Sequence, residues 1–238
     1  MPKFFTESQY IKDNKLKIVG EDVKHISKVL RMTPGESIIV CDGNGTDYDA
    51  VITEITKDQV CADIIRPYKC EAEPKVKVTL FQALPKQGKM EYIIQKNIEL
   101  GLFEFVPVFT KRCVVKPSDK TERWQKVAES ASKQSGRGII PKVLDTITFE
   151  KAIELMLKSD LAIIPYECED KCSLKDVLKK ENPNSVSIMI GPEGGFDISE
   201  IEYAVEKGIK TVSLGKRILR TETASLAVLP VLMYEYDL

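Results

Sequence analysis

Val186-Ser187-Ile188-Met189-Ile190-Gly191-Pro192-Glu193-Gly194-Gly195-Phe196 and, further on, Thr211-Val212-Ser213-Leu214-Gly215-Lys216-Arg217-Ile218-Leu219-Arg220-Thr221-Glu222-Thr223-Ala224 decide how this chain folds. Each stretch reads as a short buried strand, a glycine turn and a helix. Repeated, that pattern gives parallel strands whose C-terminal ends share one sheet edge, where open α/β sheets bind ligands. Glycines at such turns let backbone amides approach a ligand closely. Leu161-Ala162-Ile163-Ile164-Pro165, followed by Tyr166-Glu167, supplies a third strand end for the same edge.

Upstream of these turns the pattern remains α/β from Val76 onward. Val76–Phe81 and Phe105–Phe109 read as strands. Lys89–Leu100 reads as a helix with Met90, Ile93, Ile94 and Ile98 inward and Gly101 as its stop. Thr121–Ser135 is a helix with Trp124, Val127, Ala128 and Ala131 inward. Ser199 and Glu202 have capping-box spacing for a helix ending at Gly208, and the last helix runs from about Glu222 to Tyr236. The first seventy residues are β-rich instead. Glu36–Cys41, the turn Asp42-Gly43-Asn44-Gly45 and Asp47–Ile52 form a hairpin. Gln59–Ile64 is a further strand, and Gly20–Arg31 is a short helical stretch with Val23, Ile26, Val29 and Leu30 on one face. A small barrel over 1–70, a proline-bounded linker from Pro67 to Pro74 and an α/β domain over 74–238 are expected.

Composition narrows the chemistry. The chain has 238 residues, 43% hydrophobic and 30% charged, with a net charge of -1. That is enough apolar residue for a sizeable core, and the chain as a whole is no electrostatic nucleic-acid binder. Between Lys86 and Lys142, however, 12 Lys and Arg face 6 Asp and Glu. Such an excess suits either a phosphate-binding patch or a solvated helical face. No apolar run approaches the length of a bilayer span, and Met1–Phe5 is no signal peptide, so a cytoplasmic protein without membrane contact is expected. Of six scattered cysteines only Cys168 and Cys172 lie close, with no second pair to complete a zinc site, and reduced thiols are expected. A single histidine, His25, excludes His-rich metal sites, and no metal is expected. His25 itself reads as a helix-face residue.

The glycine turns match neither the phosphate-loop pattern, which needs a Lys-Ser/Thr pair, nor a GxGxxG dinucleotide fingerprint. Tight αβ connections are the bland alternative. Three apposed strand-end loops, mostly apolar and rich in backbone amides, suit an adenosine-bearing cofactor better than a polyphosphate.

The residues also resemble a known family almost end to end. Pro2–Phe5, His25, Val29–Arg31, Lys86–Lys89, Ile94–Lys96, Glu99–Gly101, Arg112–Lys116, Arg123-Trp124, Gln134-Ser135, Arg137, Ile190–Phe196 and Leu214–Ala224 are similar to the RsmE family of 16S rRNA (uracil-N(3))-methyltransferases, in the SPOUT superfamily. Lys216 stands where that family often has proline, and Lys133 where an acidic residue is common. The resemblance implies a PUA-like RNA-binding β-barrel followed by a SPOUT-type trefoil-knotted methyltransferase domain. It implies S-adenosyl-L-methionine as methyl donor, a homodimer, and a uridine in the decoding region of the small ribosomal subunit as substrate. The implied cofactor residues are Ile164, Pro165, Ile190, Gly191, Pro192, Gly194, Gly195, Leu214, Gly215, Ile218, Leu219, Thr223 and Ala224. The expected RNA contacts are Lys3, Lys28, Arg31, Lys86, Lys89, Arg112, Lys116 and Arg137.

Methyl transfer to uracil N3 needs an acceptor for the N3 proton and a cation for charge spreading onto the carbonyl oxygens. Glu222 is the candidate base and Arg220 the candidate cation, with Thr221 as a possible helix cap. The competing reading makes Arg220 and Glu222 a structural pair that shapes the loop. Two other functions stay open: a SPOUT enzyme for a ribose 2′-oxygen or another rRNA base, and a non-catalytic RNA-binding assembly factor.

Overall fold

The computed structural model describes residues 1–86 and 88–237. The chain divides into two compact units, Met1–Glu73 with Ser132–Ile140, and Pro74–Ala131 with Pro141–Leu238.

The first unit contains β1 (Lys3–Phe5), β2 (Ile11–Lys12), β3 (Lys15–Val19), α1 (Glu21–Lys24), β4 (Ser37–Cys41), β5 (Thr46–Ile55) and β6 (Gln59–Lys69). The strand order is β1-β4-β5-β6-β3-β2. β1 lies parallel to β4, and the remaining neighbours are antiparallel. Thr6, just after β1, donates its hydroxyl to Lys17 O of β3 and so links the two sides of the sheet. Alternate residues such as Leu16, Ile18, Ile38, Val40, Ala50 and Ile52 fill the core. The hairpin forms as expected, with Val40 opposite Tyr48.

Two expectations change here. Pro67 lies inside β6 and pairs with Tyr48, so the linker begins later. It is tolerated because β3 pairs only with Gln59–Asp63, leaving that part of β6 an edge whose missing N–H faces no neighbour. Val23 and Ile26 are buried, but Val29 is 69% and Leu30 42% exposed. After α1 the chain widens into a π turn over His25–Val29, closed by Leu30 N–H donating to His25 O, which rotates both residues outward.

Residues 132–140 complete this unit. Arg137 Nη2 lies 2.6 Å from Glu73 Oε2, and Glu73 Oε1 accepts from the amides of Gly138 and Ile139 at 2.8 and 2.9 Å. Gly138 must be glycine: a Cβ there would lie 2.3 Å from the Cys70 Cβ.

The second unit contains β7 (Lys77–Ala83), α2 (Met90–Glu99), β8 (Glu104–Phe109), α3 (Thr121–Gln134, whose last residues belong to the first unit), β9 (Lys142–Val143), β10 (Ile147–Thr148), α4 (Phe149–Met156), β11 (Leu161–Pro165), α5 (Leu174–Leu178), β12 (Ser185–Ile190), α6 (Ile198–Glu206), β13 (Lys210–Val212) and α7 (Thr221–Tyr236). Its sheet runs β10-β8-β7-β12-β11-β13, with β9 on β8, and every pairing is parallel. Side chains alternate between two cores. Leu80, Phe105, Ile163 and Ile188 face α2, α3, α5 and α7, whereas Phe81, Val106, Ile164 and Met189 face α4 and α6. From β12 the chain crosses β11 to reach β13, then doubles back so that α7 packs on α2 and β12.

Helices α4 and α5 and strands β9 and β10 lie outside the sequence expectations. The capping box of α6 is formed by Asp197 and Glu200, two residues before the expected pair.

Candidate active site at the C-terminal edge of the sheet

Four strand ends, those of β7, β11, β12 and β13, open onto one cavity of about 460 Å³. This lies within the range of ligand pockets, about 300–1,000 Å³. The turn after β12 brings Gly191, Pro192, Glu193 and Gly195, the loop after β13 brings residues 214–220, and the start of α7 brings Thr221 and Ala224. Thr221 fixes how these parts meet. Its hydroxyl donates to Gly191 O at 2.6 Å and accepts from Gln82 Nε2 at 2.9 Å. Thr221 is therefore no N-cap: it is the first residue of α7, Arg220 holds the cap position, and the hydroxyl is spent on the turn. One turn further along α7, Asn97 Nδ2 of α2 donates to Ser225 Oγ at 3.0 Å, with both side chains fully buried.

The two glycine turns differ in their constraint. Gly195 has φ +66°, and a Cβ there would meet Glu167 Oε1 at 2.5 Å. Any side chain at 195 thus meets Glu167 and a left-handed backbone before it reaches ligand space. Gly215 has φ +104° with nothing within 4 Å of its missing Cβ, so its backbone faces open cavity.

Charge is concentrated along one wall. Lys89 Nζ lies 3.1 Å from Glu193 Oε1 and 3.1 Å from Glu222 Oε2. The Lys86 amide also donates to Glu193 at 3.1 and 3.2 Å. Burial opposes the ionised form of Glu222, but its own amide, the Lys89 ammonium and Arg220 outweigh it and lower its pKa. Glu193 is lowered in the same way, burial again being outweighed by its own amide, Lys89 and the Lys86 amide. Pairing with Glu222 and then Glu193 raises Lys89. Glu222 Oε2 is buried, with the Lys89 ammonium 3.1 Å away as its charged neighbour.

Of the expected cofactor residues, Pro165, Ile190, Gly191, Pro192, Gly195, Leu214, Gly215, Ile218, Leu219 and Ala224 line the cavity. Ile164 does not, because strand alternation turns it into the core beneath α4 and α6. Gly194 packs on Arg112, whose guanidinium donates to its carbonyl oxygen at 3.1 Å, and Thr223 is exposed outside the lining. Arg220 lines the cavity, and Glu222 joins it through Lys89. Sequence reasoning missed Glu193 as a wall residue and gave Lys86 and Lys89, which also line the wall, to RNA alone. Glu193 lies inside the first glycine motif, which is the signal that could have found it.

The expected RNA cations separate into two groups. Lys3, half-buried, lies 2.8 Å from Asp47 and donates to Gly136 O, and Arg137 is 3% exposed on Glu73. Neither can reach a phosphate. Lys89 is held by two carboxylates, and Arg112 by Gly194 O and Asp197. Lys28, Arg31, Lys86 and Lys116 are exposed and make no ion pair among the described residues.

Apolar walls, glycine amides and a mixed set of charges around such a cavity fit an adenosine-bearing, zwitterionic cofactor. Comparison with known proteins agrees. An RNA methyltransferase domain matches residues 72–233, and an RNA methyltransferase PUA domain matches residues 18–65. Ribosomal RNA small subunit methyltransferase E of Bacillus subtilis is 36% identical over 100% of this chain and 98% of its own length. Its Aquifex aeolicus counterpart is 30% identical over 98% and 99%. The crystal structure of ribosomal RNA small subunit methyltransferase E from Neisseria gonorrhoeae bound to S-adenosyl methionine has 33% identity and a TM-score of 0.88, covering 99% of this chain and 98% of that one. A Legionella pneumophila methyltransferase in complex with the same cofactor has 31% identity and a TM-score of 0.87, covering 99% and 98%. Fold and site therefore define an RNA methyltransferase domain joined to a PUA-like unit. Within that class the chain belongs to the ribosomal RNA small subunit methyltransferase E family.

Ala224 offers a test of the cavity without backbone strain, because it lies on a helix and lines the wall. Ala224→Leu is expected to weaken S-adenosylmethionine binding by about tenfold or more, the scale of a ~1–3 kcal/mol overpacking cost. Calorimetry on the folded variant measures it, and unchanged affinity would place the cofactor elsewhere.

Proposed function

We propose that this protein transfers a methyl group from S-adenosylmethionine to N3 of a uridine in the decoding region of 16S rRNA, acting in the cytoplasm on the assembled small subunit. The observation that carries the reading is the single cavity shared by both glycine turns, with Arg220 on its wall and Glu222 beside it through Lys89. The cofactor would be held by Gly191, Gly195, Leu214, Gly215, Ile218, Leu219 and Ala224, with Pro165 and Ile190. When bound, it supplies an electrophilic methyl group on a sulfonium, which needs no metal.

The chain's own residues have two tasks. Glu222, ionised at neutral pH, takes the N3 proton on its carboxylate. A carboxylate of lowered pKa is a weak base, and it becomes competent as bond formation at N3 makes that proton strongly acidic. Arg220, at the cap of α7, sets its guanidinium against the charge developing on the uracil carbonyl oxygens. Arg220→Ala is expected to lower single-turnover methyl transfer by about 10²-fold or more, with cofactor affinity little changed. Glu222→Gln should lose a similar factor, remove the acid limb of the pH profile and recover in part at high pH. Equal losses of cofactor binding and turnover in both variants would leave the pair a purely structural role.

RNA binding falls to the exposed cations, Lys28 and Arg31 of the first unit and Lys86 and Lys116 of the second. Each neutralised phosphate contact should reduce the slope of log affinity against log salt by under about one. Filter binding of small-subunit RNA across a salt series, with all four changed to Gln, checks this. An unchanged slope and affinity would make them solvated surface only.

The protein acts as a homodimer through α7. That helix buries Ser225, Val228, Leu229 and Leu232 but leaves Val231 42% and Tyr234 73% exposed, with Ala227 and Pro230 half-buried on the same face. Sedimentation is expected to find a dimer, and Val231→Asp with Tyr234→Asp a monomer. A wild-type monomer at micromolar concentration with full activity refutes the assembly.

A further inference from the structure

We propose that Lys89 is a positioning residue for proton removal: anchored by Glu193, its ammonium holds the Glu222 carboxylate in place to take the substrate proton. The proposal rests on the reading of Glu222 as the base.

The location of Lys89 is itself informative. It occupies the N-cap of α2 and makes no capping bond with its side chain. A cation there faces the positive end of the helix dipole, where Ser, Asp or Asn would be favoured. The unfavourable placement is offset by two carboxylates at 3.1 Å, one from the turn after β12 and one from the first turn of α7. The two are not equivalent. Glu193 is tied down by the Lys86 amide through both oxygens, so it is committed to the loop. Glu222 Oε2 has the ammonium as its charged neighbour. Lys89 therefore has one fixed partner and one that is free to react.

This arrangement balances when the proton moves. The N3–H bond breaks, its electron pair stays on the uracil ring, and the proton forms a bond to the Glu222 carboxylate, giving a neutral carboxylic acid. Lys89 keeps its own protons. Once Glu222 is neutral, Lys89 remains paired with Glu193, so no ammonium is stranded in the partly buried wall. A single carboxylate could not both neutralise Lys89 and accept the proton. The charged groups facing Glu222 are Lys89 from the start of α2, Glu193 from the turn and Arg220 from its own loop.

The test combines two readouts. Carboxyl ¹³C NMR, on protein free of cofactor and RNA, follows the titration of Glu222, and single-turnover methyl transfer gives the pH–rate profile. Lys89→Met is expected to raise the Glu222 pKa, move the acid limb to higher pH with it, and lower the plateau rate by about tenfold or more through lost positioning. Lys89→Arg should restore most of all three. Glu193→Gln should act oppositely on titration, lowering the Glu222 pKa further, because a nearby negative charge is lost and Lys89 has one partner fewer. A slower Lys89→Met enzyme whose Glu222 titration and acid limb stay in place would show a merely structural lysine, and an unchanged rate would also overturn the proposal. Failure of the base reading looks different: Glu222→Gln would then keep the wild-type acid limb, and both readings would fall.

Discussion

One buried hydroxyl sets the geometry on which the site depends. Thr221 Oγ1 joins the end of β7, through Gln82, to the carbonyl of Gly191 in the turn after β12, and it does so from the first residue of α7. Gln82 is fully buried and Thr221 nearly so, and an unmatched polar group in such surroundings costs about 1–3 kcal/mol. The bond therefore fixes register as well as adding stability. It sets where α7 begins, hence where Arg220 and Glu222 lie relative to the glycine turn. The Asn97–Ser225 contact one turn on repeats the device between α2 and α7, and so places Lys89, at the other end of α2, opposite Glu222.

The cavity wall is a case of charge assigned by position. Lysines and arginines that look alike in sequence carry different duties because of what surrounds them. Lys3 and Arg137 satisfy buried carboxylates, Arg112 braces a turn, Lys89 bridges two acids, and Lys28, Arg31, Lys86 and Lys116 face water. A basic segment counted along the chain is thus no measure of the positive surface it presents.

Much of this was legible in the sequence, for a definite reason. The glycine turns follow strong apolar strands, so β11, β12 and β13, the loops after them and most of the cavity lining could be located by pattern. The change from β-rich to alternating composition near residue 74 marked the end of the first unit's continuous stretch. Helix α4 was readable in principle, since Thr148 caps Phe149, Ala152, Ile153 and Met156 at helical spacing, and Ser173 with Asp176 likewise announced α5. Other features were not legible, because they depend on partners remote in sequence. Nothing local to Lys89 names Glu193 or Glu222, and nothing near Thr221 names Gly191 or Gln82. The outward turn of Val29 and Leu30 follows from a π turn that a 3.6-residue period cannot anticipate.

The first unit is stitched from two stretches far apart in the chain, 1–73 and 132–140. During synthesis its strands emerge early, but Glu73 then lacks Arg137, Gly45 lacks the Gly138 carbonyl, and Lys3 lacks the Gly136 carbonyl. A nascent chain must wait for about sixty further residues, several seconds of translation at ~5–20 residues per second, before this unit can close. Its maturation is tied to the appearance of α3, so the first unit closes only after the first part of the second has been made.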